Sequence, residues 1–170
     1  LNDIPMPPTV ITEDVDAATN AVERFGKAVF KPLFSTKARG MEVIEKDDNT
    51  REKIQTFKDD GHEVMYIQQM KKLPGWDLGV AFLGGEYMGT YARVANKESW
   101  NTTHHAGGKY ENHEPSKEII ELARRAQEPF GLDFTCVDVA MTEDGPIVFE
   151  VSAFGGFHGL LDGCDIDAAA

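Results

Sequence analysis

The amino-acid sequence predicts an α+β protein of two lobes whose sheets are mostly antiparallel. Three observations predict it. Apolar runs are short and bounded by Gly, Pro, Asn and Asp, the mark of strands and turns. Two well-separated segments carry apolar residues at helical spacing, Val15/Ala18/Val22/Phe25 and Ile119/Ile120/Leu122/Ala123/Ala126/Phe130. Two turn signals, Gly84-Gly85 and Thr142–Pro146, each join strand-like runs and so pair neighbours antiparallel.

The elements follow in order. Residues 1–12 carry Pro5, Pro7 and Pro8 with no start signal, and read as a linker. Thr12 before Glu13 and Asp14 predicts a helix N-cap with acids at the positive helix end, and Gly26 stops that helix. Residues 28–33 are a short buried strand ending at Lys31, followed by a loop of small and basic residues to Gly40 and a strand from Met41 to Ile44. Residues 47–60 are polar enough for a surface helix or a mobile arm, and Glu63 to Met70 is a buried strand. Asp77–Leu83 and Glu86–Val94 flank the Gly84-Gly85 turn. Residues 96–114 are irregular and polar, Pro115 opens a helix that Gly131 closes, and Phe134–Met141 with Ile147–Val151 form the last hairpin.

Composition narrows the function. Of 170 residues, 41% are apolar and 27% charged, an ordinary globular balance with no apolar run near the roughly 20 residues that cross a bilayer. The net charge of −12 repels phosphate backbones and anionic lipid, so nucleic acid and membrane are excluded as main partners. Cys136 lies in an apolar run and reads as core, and with Cys164 as a reduced thiol in a cytoplasmic protein.

The last hairpin carries the strongest chemical signal. A turn centred on Asp144 sets Asp138 opposite Glu150, with Cys136, Asp138 and Ala140 on one face and Val148, Glu150 and Ser152 on the matching face. Two acids about 5 Å apart on apolar strands repel unless a positive group stands between them. A divalent cation resolves the conflict, and oxygen ligands with open positions suit Mg²⁺ or Mn²⁺. Other arrangements answer the same sequence: a Lys or Arg neutralises both acids, one acid points to solvent, or a one-residue slip separates them. Lys31 at the mouth of its strand either snorkels to water or aims into a cleft. The loop after it, with Lys37 and Arg39, offers cations and N–H groups for phosphate oxygens, against the competing reading of a solvated basic loop. His104, His105 and His113 read as an exposed loop rather than a zinc site.

The order of these signals is strand lysine, basic loop, Ile67-Gln68-Gln69-Met70, a glycine-turn hairpin ending in Arg93, Gly107-Gly108, a helix, and the Asp138/Glu150 hairpin. That order resembles the ATP-grasp fold, most of all its RimK-like branch of amino-acid ligases. Phe149 to Phe157 looks like the subgroup called GAK-system ATP-grasp proteins.

The resemblance implies a linker at 1–12 leaving an absent N-terminal domain, a small lid lobe at 13–70, and a large lobe at 71–170 bearing the metal hairpin, with the nucleotide between lobes. It implies that Lys31 touches the α- and β-phosphates, that Ser35, Thr36, Lys37, Arg39 and Gly40 belong to a phosphate lid, and that Gln68, Gln69 and Met70 meet adenine. Asp77 would lie near the ribose or cleft edge, Arg93 would face the γ-phosphate, and Asp138, Glu150 and Ser152 would hold Mg²⁺ or Mn²⁺. Four departures stand out: Gly79 and Ser152 replace an Arg and an Asn usual in the branch, Asn101-Thr102-Thr103 stands where the branch has an Arg-x-Asn stretch ahead of the double Gly, and Ala38 takes a place where Gly is common. The implied function is an ATP-dependent carboxylate–amine ligase acting on ATP and an unknown acid and amine, in the cytoplasm, with a homo-oligomer compatible. A small-molecule kinase and a nucleotide-binding regulatory module without turnover are the alternatives.

Overall fold

A computed structural model of the chain describes residues 3–35, 38–95, 108–153 and 158–168. The chain divides into two compact units, Pro7–Lys71 and Leu1–Met6 with Lys72–Ala170.

The first unit holds strands β1 (Thr9–Thr12), β2 (Lys27–Lys31), β3 (Glu42–Glu45) and β4 (Met65–Gln69), with helices α1 (Val15–Phe25) and α2 (Thr50–Asp59). The sheet runs β1-β4-β2-β3, and each pairing is antiparallel. Its core gathers Ala18 and Val22 of α1, Ile54 and Phe57 of α2, and Phe30, Met65 and Ile67 of the sheet. Phe30 and Phe57 meet edge-to-face at 5.4 Å. Burial of Ile54 and Phe57 makes residues 50–59 a packed helix rather than a mobile arm.

Two expectations are corrected here. Residues 9–12 are a strand, not linker: Thr-Val-Ile-Thr is wholly β-branched and pairs with β4, a preference the flanking prolines obscured. The α1 N-cap is Asp14, whose carboxylate accepts the Ala17 N–H at 2.7 Å, while the Thr12 hydroxyl accepts the Asp14 N–H at 3.0 Å. Such a cap is worth about 1 kcal/mol. Gly26 closes the helix at φ +75°, as the stop signal requires.

The second unit holds β5 (Trp76–Leu83), β6 (Glu86–Val94), β7 (Lys109–Asn112), α3 (Lys117–Gln127), β8 (Phe134–Thr142), β9 (Gly145–Ser152) and α4 (His158–Cys164). Its sheet runs β7-β6-β5-β8-β9, again antiparallel throughout. The turn between β5 and β6 has Gly84 and Gly85 both at positive φ, the primed geometry that dipeptide predicts. One face packs Leu78, Val80, Phe82, Val137, Val139 and Val148 against Ile119, Leu122 and Ala123 of α3. The other face packs Ala81, Tyr91 and Cys136 under Leu160 of α4. Ile4 joins the first of these cores, and Pro5 O accepts the Val148 N–H at 2.8 Å, so residues 4 and 5 are also part of a fold.

Ser116 caps α3, and the helix ends at Gln127 before a 3₁₀ turn, Glu128–Phe130, that contains Pro129. Phe130 therefore leaves the apolar stripe and is 60% exposed. β7 lies within the stretch expected to be irregular, because it borrows its pairing from β6 rather than from its own propensity. His104, His105, Gly107 and Trp100 fall outside the described residues.

Candidate active site

Register on the α4-covered face of the second sheet places four charged residues together. Asp77 of β5 pairs with Arg93 of β6, Gly79 of β5 pairs with Asp138 of β8, and Asp138 pairs with Glu150 of β9. The expected opposition of Asp138 and Glu150 is present, by a different route. Thr142 pairs with Gly145, so the turn is tighter than a centre on Asp144 supposes, and a bulge at Phe149 restores the register before Glu150. The bulge corrects one residue: Val148 pairs with Val139 and packs in the α3 core, not beside Glu150.

Arg93 is the cation among these acids. Its Nε donates to Asp77 Oδ1 at 3.1 Å and its Nη2 to Asp77 Oδ2 at 2.5 Å. The same Nη2 lies 2.9 Å from Asp138 Oδ2. An arginine neutralising the acids is thus realised for Asp77 and Asp138. Glu150 is exposed and has no hydrogen bond or ion pair among the described residues. Burial pushes the Asp138 carboxyl up to about 6 against the pull of Arg93. Burial works to lower the Arg93 guanidinium, but Asp138 and Asp77 outweigh it and hold it well above its ordinary value.

Whether a divalent cation fits can be judged from the donors. Two carboxylates face each other, one unpartnered among the described residues and one held by a single arginine nitrogen, with the Ser152 hydroxyl next along β9. No cluster of three or more His, Cys, Asp or Glu ligands occurs among the described residues. Oxygen donors from one or two carboxylates, with remaining positions left to water and phosphate, are what Mg²⁺ accepts. The set fits.

Asp77 departs from its expected place. It is 5% exposed and committed to the Arg93 fork, not set at an open edge. The Gly79 departure has a steric cause: a Cβ there would stand 2.4 Å from Tyr91 Cζ. A Cβ on Gly159 of α4 would meet the same ring atom at the same distance, and Tyr91 OH lies 3.4 Å from Cys136 Sγ. Burial raises the Tyr91 hydroxyl far above its usual range and pushes the Cys136 thiol up to about 12, so neither ionises near neutrality. No local signal marks Tyr91, since its neighbours come from β5, β7, β8 and α4.

In the first unit Lys31 ends β2 opposite Tyr66. Its Nζ donates to Gln68 Oε1 and stands 5.8 Å from the Tyr66 ring centre. Gln68 is 1% exposed, and its Nε2 donates to Thr9 Oγ1 and Tyr66 Oη at 3.2 and 3.1 Å. The Gln69 and Met70 N–H groups donate to Pro8 O and Lys27 O, so these donors are already used within the unit. In the following loop the Ser35 hydroxyl donates to Arg39 O, and Ala38 adopts φ +58°. A non-glycine residue there carries strain of about 1 kcal/mol or more. Gly40, at φ +68°, leaves 3.2 Å between a built Cβ and Pro32 Cγ. An open depression of about 490 Å³ is lined by Pro32, Phe34, Ser35, Arg39, Gly40 and His62. Thr36 and Lys37 fall outside the described residues.

A model of the RimK-like ATP-grasp domain matches residues 1–170. The chain belongs to the RimK-like ATP-grasp family. This ATP-grasp chain is 31% identical over 172 residues to the tetrahydromethanopterin:alpha-L-glutamate ligase of Methanococcus maripaludis, a match over 98% of the chain and 58% of the relative. It is 25% identical over 169 residues to a ribosomal protein bS6–L-glutamate ligase of Escherichia coli, covering 98% of the chain and 56% of the relative. The chain thus spans somewhat more than half the length of these curated relatives. Among solved structures, the ATP-grasp ligase PsnB with minimal precursor, Mg and ADP superposes at TM-score 0.74 and 22% identity, over 97% of this chain and 50% of that one. Both α+β units are thereby accounted for as an ATP-grasp fold.

Proposed function

We propose that this chain is the nucleotide-binding core of an ATP-dependent carboxylate–amine ligase. The observation that carries the reading is the opposed Asp138 and Glu150 pair beside a half-buried, doubly anchored Arg93. In this reading Asp138 and Glu150, with Ser152, hold Mg²⁺ or Mn²⁺. The ion, when bound, offsets the charge that builds on the phosphate oxygens during transfer.

The chain's own residues position and balance charge. Arg93 offers guanidinium N–H groups to the γ-phosphate, and Lys31, steadied by Gln68, binds α- and β-phosphate oxygens. Ser35, Thr36, Lys37, Arg39 and Gly40 cover those phosphates, and carbonyl groups of Gln68, Gln69 and Met70 face the adenine edge. A substrate carboxylate oxygen attacks the γ-phosphorus and ADP leaves. An amine then attacks the acyl-phosphate carbon, phosphate departs, and the amine proton passes to solvent. Such catalysis is positioning and electrostatics and needs no activated nucleophile. The relatives' names make L-glutamate the first amine to try. The free thiols Cys136 and Cys164 agree with a cytoplasmic setting, and no helix among the described residues is long and apolar enough to cross a membrane.

Hydroxylamine trapping tests the reading. Incubated with Mg-ATP and candidate acids, a ligase releases ADP and forms a hydroxamate, whereas a kinase forms a phosphate ester and no hydroxamate. One observation favours a second reading, a nucleotide-binding module without turnover: Tyr91 fills the space over Gly79, where the branch usually carries an arginine. Tight Mg-ATP binding with no ADP release for any acid would select it.

A further inference from the structure

Arg93 crosses its own sheet. It stands on β6 opposite Asp77 of β5, yet it reaches past β5 to Asp138 on β8. Gly79 pairs with Tyr91 on one side and Asp138 on the other and carries no side chain, and the Tyr91 ring lies over it on the way to Cys136.

Arg93's two carboxylate contacts are unequal. Asp77 takes two parallel N–H groups, at 3.1 and 2.5 Å, and two bonds fix the guanidinium plane. Asp138 is reached by one nitrogen at 2.9 Å, which fixes no plane. Asp77 is also nearly sealed at 5% exposure, with both oxygens already facing the guanidinium, so presenting either to a ribose hydroxyl would break the fork.

We infer that Asp77 is a positioning residue: it holds Arg93 aimed at the Asp138–Glu150 pair, so that Arg93 keeps that aim when a divalent cation claims Asp138. The inference rests on the nucleotide reading above and deepens it. Charge supports the arrangement. Three carboxylates and one guanidinium carry a formal −2, which repels a triphosphate until a divalent cation brings the cluster near zero. At that point the Asp138 contact is surrendered, and among the described residues it is the Asp77 fork that keeps Arg93 from swinging out to solvent.

The test is equilibrium binding of Mg-ATP, Mg-ADP and Mg-2′-deoxy-ATP to the full chain by titration calorimetry, for wild type, Asp77→Asn, Asp77→Glu, Arg93→Lys and the Asp77→Asn/Arg93→Lys pair. Thermal melts confirm that each variant is folded, and Asp77→Asn keeps the shape of the side chain. The expected result is an ATP-over-ADP preference that falls about tenfold in Asp77→Asn and by a similar factor in Arg93→Lys, with no further fall in the double variant. Partial recovery in Asp77→Glu, and an ATP to 2′-deoxy-ATP ratio unchanged by Asp77→Asn, complete the expectation. An intact ATP-over-ADP preference in folded Asp77→Asn, or a collapse of its discrimination against 2′-deoxy-ATP, overturns the positioning role alone. Wild-type protein that binds neither nucleotide overturns the nucleotide reading and this role together.

Discussion

The carboxylate–arginine cluster of the second unit and the lysine–loop region of the first are built in opposite ways. Backbone pairing sets the cluster: Asp77, Arg93, Asp138 and Glu150 stand on four consecutive strands, and their mutual positions follow from ladder register. The described residues of the loop after β2, Phe34, Ser35 and Ala38 to Gly40, join no strand ladder. The Ser35 hydroxyl bond to Arg39 O and positive φ at Ala38 and Gly40 shape them instead. Charge differs as well. The cluster packs a buried Asp77 and a half-buried Arg93 and Asp138 against one another, whereas Phe34 stands 97% exposed and lines an open depression with Arg39. Under the proposed function, the ladder-set cluster is where charge is balanced and the strained loop is where the nucleotide is admitted.

This contrast predicts a hierarchy of mutational effects. Arg93→Ala should be the most damaging, because it strands Asp77 and Asp138 without a cation. Loss of one partner from a buried ionic network costs about 3–5 kcal/mol, measurable by urea unfolding. Adding Asp77→Asn and Asp138→Asn to it should restore much of that loss, and failure to do so would mean that Arg93 stabilises by packing rather than charge.

The pH dependence comes next. Asp138 titrates near 6 in the folded chain and near 3.8 when free, so the folded state binds the proton more tightly. Its contribution to stability is fully present below about pH 4 and is lost as pH rises through 6, an effect on the order of 2–3 kcal/mol that Asp138→Asn should abolish. Metal binding runs the other way, since the cation needs the ionised carboxylate: apparent Mg²⁺ affinity should climb between pH 5 and 7.

Gly79→Ala should cost about 1–3 kcal/mol through its clash with the Tyr91 ring, and a Tyr91→Leu partner change should relieve it. In the loop, Ala38→Gly should give the smallest change and the opposite sign. Removing the left-handed strain stabilises by about 1 kcal/mol at most, partly offset by the freer unfolded chain.

The same contrast explains what could be read in advance. The acids were legible because a hairpin turn and side-chain alternation are local signals, and together they bring Asp138 to Glu150. The bulge at Phe149 was not legible: a one-residue turn shift and a one-residue bulge cancel at Glu150 and reveal themselves only in Val148. The Asp77–Arg93 pairing spans one hairpin whose glycine turn was recognised, yet its salt bridge needs the register to be counted from that turn. Tyr91's confinement between Gly79 and Gly159 draws on α4, far away in sequence, and has no local mark. In the first unit, Val10 and Ile11 were hidden by prolines on one side and an acidic helix start on the other. Gln68 enters the site through the resemblance alone, while its buried amide, which holds Lys31, emerges only once β1, β2 and β4 are aligned.

The central claim is that Asp138 and Glu150 share a divalent cation brought to the chain with ATP. Calorimetric titration of ATP into the wild type and the Asp138→Asn/Glu150→Gln variant, with Mg²⁺ and with EDTA, tests it most directly. The account predicts wild-type affinity that depends strongly on Mg²⁺ and variant affinity that does not, both proteins remaining folded. Equal dependence on Mg²⁺ in the two proteins would contradict it.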